Sequence, residues 1–280
     1  MKNTISAALC ACSNALPESR RAELDALENV LLQMNISDRR SPFLTSANAP
    51  FSVDAQKKAA ALNAFFKDDN VSEIFDVSGG DLANEVIPYL DYTAIAASRA
   101  RFWGYSDLTC VINAIYAKTG KSSVLYQVRN ILTDRQDEFH RAVCEGDNAL
   151  FRPDVRLIRG DSMSGTLIGG NIRCFLKLAG TPYFPNAAGC VVLLESFGGS
   201  AARAVSYLAQ LNMTGVFERA NGVILGTFTE LDKSLGRSSS IEFLSETIAR
   251  INPGLPLAVT DEIGHSSDSR AAVIGENICI

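Results

Sequence analysis

Only two histidines stand in this 280-residue chain, His140 and His265. Any chemistry that needs an imidazole base must use one of them, and histidine is the side chain that titrates near neutrality unperturbed. His140 sits in Asp137-Glu138-Phe139-His140-Arg141, a charged stretch of helical character, and reads as a surface residue. His265 follows Gly264 and precedes Ser266 and Ser267 in a polar loop after a strand, where catalytic side chains are commonly displayed. A nucleophile is offered by Ser106, in Gly104-Tyr105-Ser106-Asp107, where an apolar segment steps into a helix. A serine there resembles the strand-to-helix elbow of other hydrolases. The helix N-terminus adds backbone N–H groups and a positive dipole end, both suited to an oxyanion. A plainer role fits equally: Ser106 or Asp107 could cap that helix.

Glu195 ends the run Cys190-Val191-Val192-Leu193-Leu194. A carboxylate at the carboxyl end of a buried strand lies where active sites of α/β sheets gather. It could hold a histidine's tautomer, or be no more than an exposed strand-end acid. Gly79 and Gly80 follow a strand directly and could bring a backbone N–H to a reacting carbonyl, or simply make a turn. Gly120-Lys121-Ser122 is a decoy for a phosphate loop, because Ile115 stands where the first glycine belongs.

These residues need a scaffold. Ile5–Ala11 reads as a buried strand, followed by an amphipathic helix with Leu24, Leu27, Val30 and Leu31 on its apolar face. A helix is predicted over Val53–Phe66 with Ser52 as N-cap, then a strand over Val71–Val77, then a helix to about Leu90. The helix from Asp107 to Lys118 ends at Gly120, a natural C-cap. Residues 131–156 are polar and charged and read as a connector between a domain over 1–130 and a second over 157–280. The second half offers the strands Cys190–Leu194, Gly222–Leu225 and Leu257–Val259 and a helix over Ala201–Leu211. Strands alternating with helices imply an α/β protein with parallel, helix-covered sheets.

Composition excludes several classes. Hydrophobic residues make up 47% and charged residues 20%, which supports an ample core. The net charge of −5 argues against nucleic acid as partner, and Arg20-Arg21, Arg39-Arg40 and Lys57-Lys58 read as solvated faces. The seven cysteines are odd in number and scattered, with no C-x-x-C pair, which suits a reducing compartment and no zinc cluster. Leu9-Cys10-Ala11-Cys12 faintly resembles a lipoprotein cleavage box, but the apolar stretch before it is shorter than the ~7–15 residues of a secretory segment. No run approaches the ~20 apolar residues of a membrane span, so a cytoplasmic protein is expected.

Taken together, the segments resemble the LD-carboxypeptidase family of muramoyltetrapeptide carboxypeptidases and microcin C immunity peptidases. The nucleophile segment is Phe102-Trp103-Gly104-Tyr105-Ser106-Asp107-Leu108-Thr109, continuing into Ala114–Gly120. Asn63–Phe66 to Asp76, Ser78-Gly79-Gly80 and Ile87–Asp91 match the stretch leading to the family's glycine turn. Gly165–Asn171, Gly180–Tyr183, Val192–Glu195, Gly222–Phe228 and Ile263-Gly264-His265 complete the order over residues 50–270. The resemblance implies a Ser106-Glu195-His265 triad, with oxyanion donors from the N–H of Asp107 and one of Gly79 or Gly80. It implies a flavodoxin-like or amidotransferase-like first domain, a swivelling-type second domain, a cleft site, a homodimer, and neither metal nor cofactor. The expected substrate is a murein tetrapeptide that loses its terminal D-alanine. An aminoacyl-nucleotide amide of a peptide antibiotic is the alternative, for which Trp103 would be the base-stacking aromatic, and a non-catalytic binding module is the third reading. The sequence departs from the family at Ser78, usually Arg, at Asp81, usually aromatic, and after Gly120, and these departures bear on the substrate.

Overall fold

A computed structural model of the chain describes residues 5–46 and 54–280. The first half runs β1 (Ile5–Cys10), β2 (Leu16–Pro17), α1 (Arg21–Gln33), β3 (Ile36–Arg40), β4 (Thr45–Ser46), α2 (Ala55–Lys67) and β5 (Glu73–Asp76). It continues through α3 (Tyr92–Ala97), β6 (Arg101–Gly104), α4 (Thr109–Thr119), β7 (Ser123–Leu125) and α5 (Gln136–Cys144). The apolar stripe of α1 buries Leu24, Leu27 and Leu31 as its periodicity requires. Helix α2 is capped by Asp54, whose carboxylate accepts from the Gln56 N–H. The predicted cap, Ser52, lies outside the described residues. The helix predicted up to Leu90 is instead two 3₁₀ turns, Ala83–Glu85 and Ile87–Tyr89. Pro88 has no N–H to continue a helix, and the Ala83 N–H is taken by the Asp107 carboxylate at 2.8 Å.

Strands β3-β1-β5-β6-β7 are parallel and lie in that order. Numbered along the chain they read 2-1-3-4-5, the flavodoxin-like order. The connection reverses direction beside β1, and the loops after β1, β5 and β6 open at one edge. Ser13, Gly79 and Ser106 sit on those loops.

The second half runs β8 (Arg156–Arg159), β9 (Ser164–Asn171), α6 (Ile172–Leu176), β10 (Cys190–Ser196), α7 (Ala201–Met213), α8 (Val216–Arg219) and β11 (Gly222–Phe228). It ends with α9 (Thr229–Leu235), α10 (Arg237–Ile251), β12 (Leu257–Val259), β13 (Ala272–Ile274) and β14 (Asn277–Cys279). Its sheet has the order β14-β9-β10-β11-β12-β8, parallel through the four middle strands and antiparallel at both edges. The expected connector carries α5, which buries Phe139 against Phe75 and Trp103 of the first sheet. Strand β13 returns to pair antiparallel with β7, while β14 pairs with β9, so the last strands tie both sheets together.

Helix α4 lies between the sheets. One apolar cluster joins its Val111 and Ile115 to Leu167, Leu193 and Ile224 of the second sheet. Burial of each such side chain stabilises by ~1.5–3 kcal/mol. Polar contacts then fix the docking. Asn113 donates to the Gly169 carbonyl at 2.8 Å and accepts the Gly169 N–H at 2.9 Å, and Thr109 Oγ1 accepts the Asn171 N–H at 3.0 Å. Gly170 permits this approach: a Cβ there would stand 2.9 Å from Thr109 Oγ1.

Candidate active site

Ser106 lies two residues beyond the end of β6 and has φ 56, one of three described non-glycine residues at positive φ. That conformation costs ~1–3 kcal/mol and persists only where the surroundings impose it. Here they do. The buried Asp107 carboxylate accepts from Ser13 Oγ at 2.6 Å and the Ala83 N–H at 2.8 Å, and pairs with Lys177. Neither Ser106 nor Asp107 caps α4 with its side chain, so the plainer helix-cap role is not the one they play.

Glu195 sits at the carboxyl end of β10, fully buried, so it is not an exposed strand-end acid. The β10–β11 register shifts between Leu194 and Ser196, a bulge that re-aims the side chain between them. His265 comes from the loop after β12. That loop is tied by the Thr227 N–H to the Ile263 carbonyl at 2.9 Å and by Ser269 Oγ to the Gly264 carbonyl at 2.9 Å. The close approach needs glycine, since a Cβ at Gly264 would lie 1.7 Å from Thr227 Oγ1.

The three side chains converge. His265 Nε2 lies 3.2 Å from Ser106 Oγ, and Nδ1 lies 2.8 Å from Glu195 Oε2. The second approach is short, but its N–H is turned off the line of a good hydrogen bond. Such alignment often tightens only when substrate binds. A proton on Nδ1 would leave Nε2 free to accept from the serine hydroxyl. The imidazole is wedged between Tyr105, at 4.9 Å between ring centroids, and Phe197, at 5.1 Å. Burial, and then the neighbouring Glu195 charge, push the Tyr105 phenol well above its usual range, so it stays an O–H donor. His140, by contrast, is half-buried on α5 and does not line the Ser106 cavity.

The glycine turn is held from the second half of the chain. Arg173 donates to the Gly80 carbonyl at 3.1 Å and pairs with Asp81, while Lys177 donates to the Asp81 carbonyl at 2.7 Å. The Asp81 N–H donates to Asn14 Oδ1 at 3.1 Å, which fixes the opposite side of the same peptide. Asp81 thus has a partner in this chain, Arg173, that local sequence could not disclose. Ser78 is buried and structural: its Oγ donates to Asp76 at 2.5 Å and accepts the Ser13 N–H at 3.0 Å. Trp103 is fully buried, with its indole N–H on Glu73 at 2.6 Å, so it offers no stacking surface. Phe197, 52% exposed, is an accessible aromatic against the His265 ring, and its only sequence signal is its place two residues beyond Glu195.

Ser106, His265, Gly79 and Tyr105 line a cavity of about 350 Å³ with Arg20, Glu23, Gln127, Arg129, Asn130 and Thr133. A larger cavity of about 820 Å³, floored by Leu167, Leu193 and Ile224, contains none of the three converging residues. Ser106 and His265 open into the smaller one, with Glu195 buried behind the imidazole. Among the described residues, Cys10, Cys12 and Asp76 cluster as a metal might require, with ligand atoms within 4.8 Å of one another. The Asp76 oxygens are already taken by the Cys12 N–H at 2.7 Å and the Ser78 N–H at 2.9 Å, and burial raises the Cys10 thiol well above its usual range. That set has the character of a structural knot.

Comparison with known proteins agrees along most of the chain. Residues 7–126 match the model of the LD-carboxypeptidase N-terminal domain, and residues 164–280 match that of the C-terminal domain. A probable murein peptide carboxypeptidase of Bacillus subtilis (strain 168) is 28% identical over 232 residues, covering 78% of this chain and 72% of that protein. Among solved structures, MccF in complex with glutamyl sulfamoyl guanosine superposes with a TM-score of 0.86 at 18% identity, covering 99% of this chain and 93% of the other. Muramoyltetrapeptide carboxypeptidase from Oxalobacter formigenes superposes with a TM-score of 0.78 at 20% identity, covering 98% and 94%. At those identities the structural likeness speaks for the fold. With both of its domain models matched in order, the chain belongs to the LD-carboxypeptidase family, a family of peptide-bond hydrolases.

Proposed function

We propose that this protein is a serine-type LD-carboxypeptidase that releases terminal D-alanine from murein tetrapeptides in the cytoplasm. The observation that carries the reading is the convergence of His265 on Ser106 Oγ at 3.2 Å and on Glu195 Oε2 at 2.8 Å. His265 Nε2 takes the Ser106 proton as Oγ attacks the carbonyl carbon of the L,D amide. Glu195 holds the imidazole and balances its charge. The tetrahedral oxyanion is held by the Asp107 N–H and an N–H of the Gly79-Gly80 turn. His265 then protonates the leaving amine, the C–N bond breaks, and water activated by the same imidazole hydrolyses the acyl-serine. Among the described residues no helix is long and apolar enough to cross a membrane. A homodimer belongs to the same reading and is checked by light scattering of the purified chain.

A second reading has one observation in its favour. The exposed Phe197 ring beside His265 could stack on a nucleobase, which would suit cleavage of an aminoacyl-nucleotide amide. The deciding experiment follows D-alanine release from a murein tetrapeptide by the purified protein and by Ser106→Ala. Release that drops at least ~10³-fold in the variant is expected. No release by either protein removes the murein reading, and cleavage of an aminoacyl sulfamoyl adenosine would then put the second in its place.

A further inference from the structure

Two guanidinium groups share one carboxylate on the wall of the Ser106 cavity. Arg20 donates Nε and Nη2 to the Glu23 oxygens at 2.6 and 2.7 Å, and Arg129 donates Nη1 to Oε1 at 2.8 Å. Arg129 also donates Nε to Gln127 Oε1 at 3.3 Å, and no hydrogen bond occupies its Nη2 among the described residues. Glu23 is ionised in this setting, because hydrogen bonds from both arginines outweigh the burial that would raise its carboxyl. The triplet therefore keeps one unit of positive charge.

That surplus is not spread over an open surface. The Arg129 side chain is only 15% exposed. A largely buried cation with half a share in a counter-charge is costly unless an anion completes it. Among the described residues no other acid lines the cavity. Asp76 acts on Arg129 at longer range, but its oxygens are committed to Cys12 and Ser78. The rest of this wall, Gln127, Asn130 and Thr133, is neutral and polar. Arg20 therefore does more than the solvated basic pair its sequence suggests.

We propose that Arg129, backed by Arg20 through Glu23, is the specificity-determining anion site of this cavity, and that it takes the negative group on the leaving side of the scissile amide. The inference rests on hydrolysis at Ser106 as proposed above, and it names what the leaving group must carry. In a peptide cleaved at its last residue that group is the free terminal carboxylate. A planar guanidinium edge suits carboxylate geometry, and the charge rejects an amidated or extended terminus. An aminoacyl sulfamoyl or phosphoryl nucleotide presents an anion on the same side of its scissile bond. Both sources therefore share this chemistry.

The test reads binding, so it does not depend on turnover. Ser106→Ala protein is titrated by calorimetry with N-acetyl-L-lysyl-D-alanine, with its C-terminal amide, and with an aminoacyl sulfamoyl adenosine. The acid should bind about 10- to 100-fold tighter than the amide, the range for one charge-assisted pair. Arg129→Gln should reduce that preference to within about twofold, and Arg129→Lys should restore part of it. Arg20→Gln, at the more exposed end of the triplet, should weaken the preference and serves if Arg129→Gln does not fold. Arg129-dependent binding of the sulfamoyl compound alone supports the site and assigns its anion to a nucleotide. Equal affinity for acid and amide, a preference that survives both Arg129→Gln and Arg20→Gln, or no binding of any probe at millimolar concentration overturns the proposal. D-alanine release by the unmutated protein, measured in parallel, tests the hydrolysis alone: Arg129-dependent binding without release keeps the site and removes the murein reading.

Discussion

The two sheets contribute to the cavity in different ways. The first supplies Ser106 from a contiguous strand-turn-helix step, with the unusual backbone confined to one residue at φ 56. The second supplies Glu195 and His265 from separate strands, by a bulge at the end of β10 and a backbone approach at Gly264 that leaves no room for a side chain. The first arrangement takes its shape from adjacent residues and is steadied by distant partners of Asp107, namely Ser13, Ala83 and Lys177. The second is assembled from long-range contacts, so small changes there should travel directly to the imidazole.

After loss of the Ser106 hydroxyl itself, the largest expected effect comes from breaking the second arrangement. Gly264→Ala puts a methyl group against Thr227 and must shift the His265 loop. Since misplacement by about 1 Å can cost ~10²-fold, kcat/KM for D-alanine release should fall by about that factor while circular dichroism stays native. An unchanged rate would show that the loop yields. The junction is the next place to press. Asn113→Ala leaves the buried Gly169 N–H and carbonyl without partners and should lower stability by ~2–3 kcal/mol in urea unfolding. A loss below ~0.5 kcal/mol would mean that apolar contacts alone hold α4 to β9.

A smaller effect probes whether the halves communicate through the glycine turn. Arg173→Gln releases the Gly80 carbonyl and Asp81, so kcat should fall several-fold to about tenfold with KM nearly unchanged. A rise in KM alone would move Arg173 from the turn to substrate contact. The smallest effect lies away from the cavity and serves as the control. Burial, and then the Glu28 charge and hydrogen bond, raise the Asp38 carboxyl to about 6. The folded state then binds this proton more tightly than the unfolded chain, whose pKa is ~3.9. The associated stability is present below pH ~4 and is lost as pH rises through about 6. Asp38→Asn should therefore raise Tm at pH 8, by ~1–2 °C on the usual scale for a chain this size, and leave it unchanged near pH 4. A shift of equal size at both pH values would rule out titration as its cause.

Much of this architecture is written locally. The apolar runs of β1 and β10, the periodicity of α1 and α4, and the glycine ending α4 all depend on residues within a few positions of one another. For the same reason Ser106, Glu195 and His265 could be named one by one as plausible groups at element ends. The 81–90 segment shows the limit of periodicity, since Pro88 and a long-range bond from Ala83 to Asp107 turn an apparent helix into 3₁₀ turns. Residues 131–156 show another: their polar composition hid the apolar face of α5, which is satisfied only against Phe75 and Trp103.

The chain by itself determined which side chains were available and which elements would carry them, because hydrogen bonding and burial within one element leave their trace at fixed spacing. Only the tertiary structure decided that His265 meets Ser106 across 159 positions, that Arg173 holds the glycine turn, and that Arg20 and Arg129 share Glu23. Those contacts join residues whose separation carries no period. They form because α4 docks between two sheets and the last strands bind both, which brings distant loops to one edge.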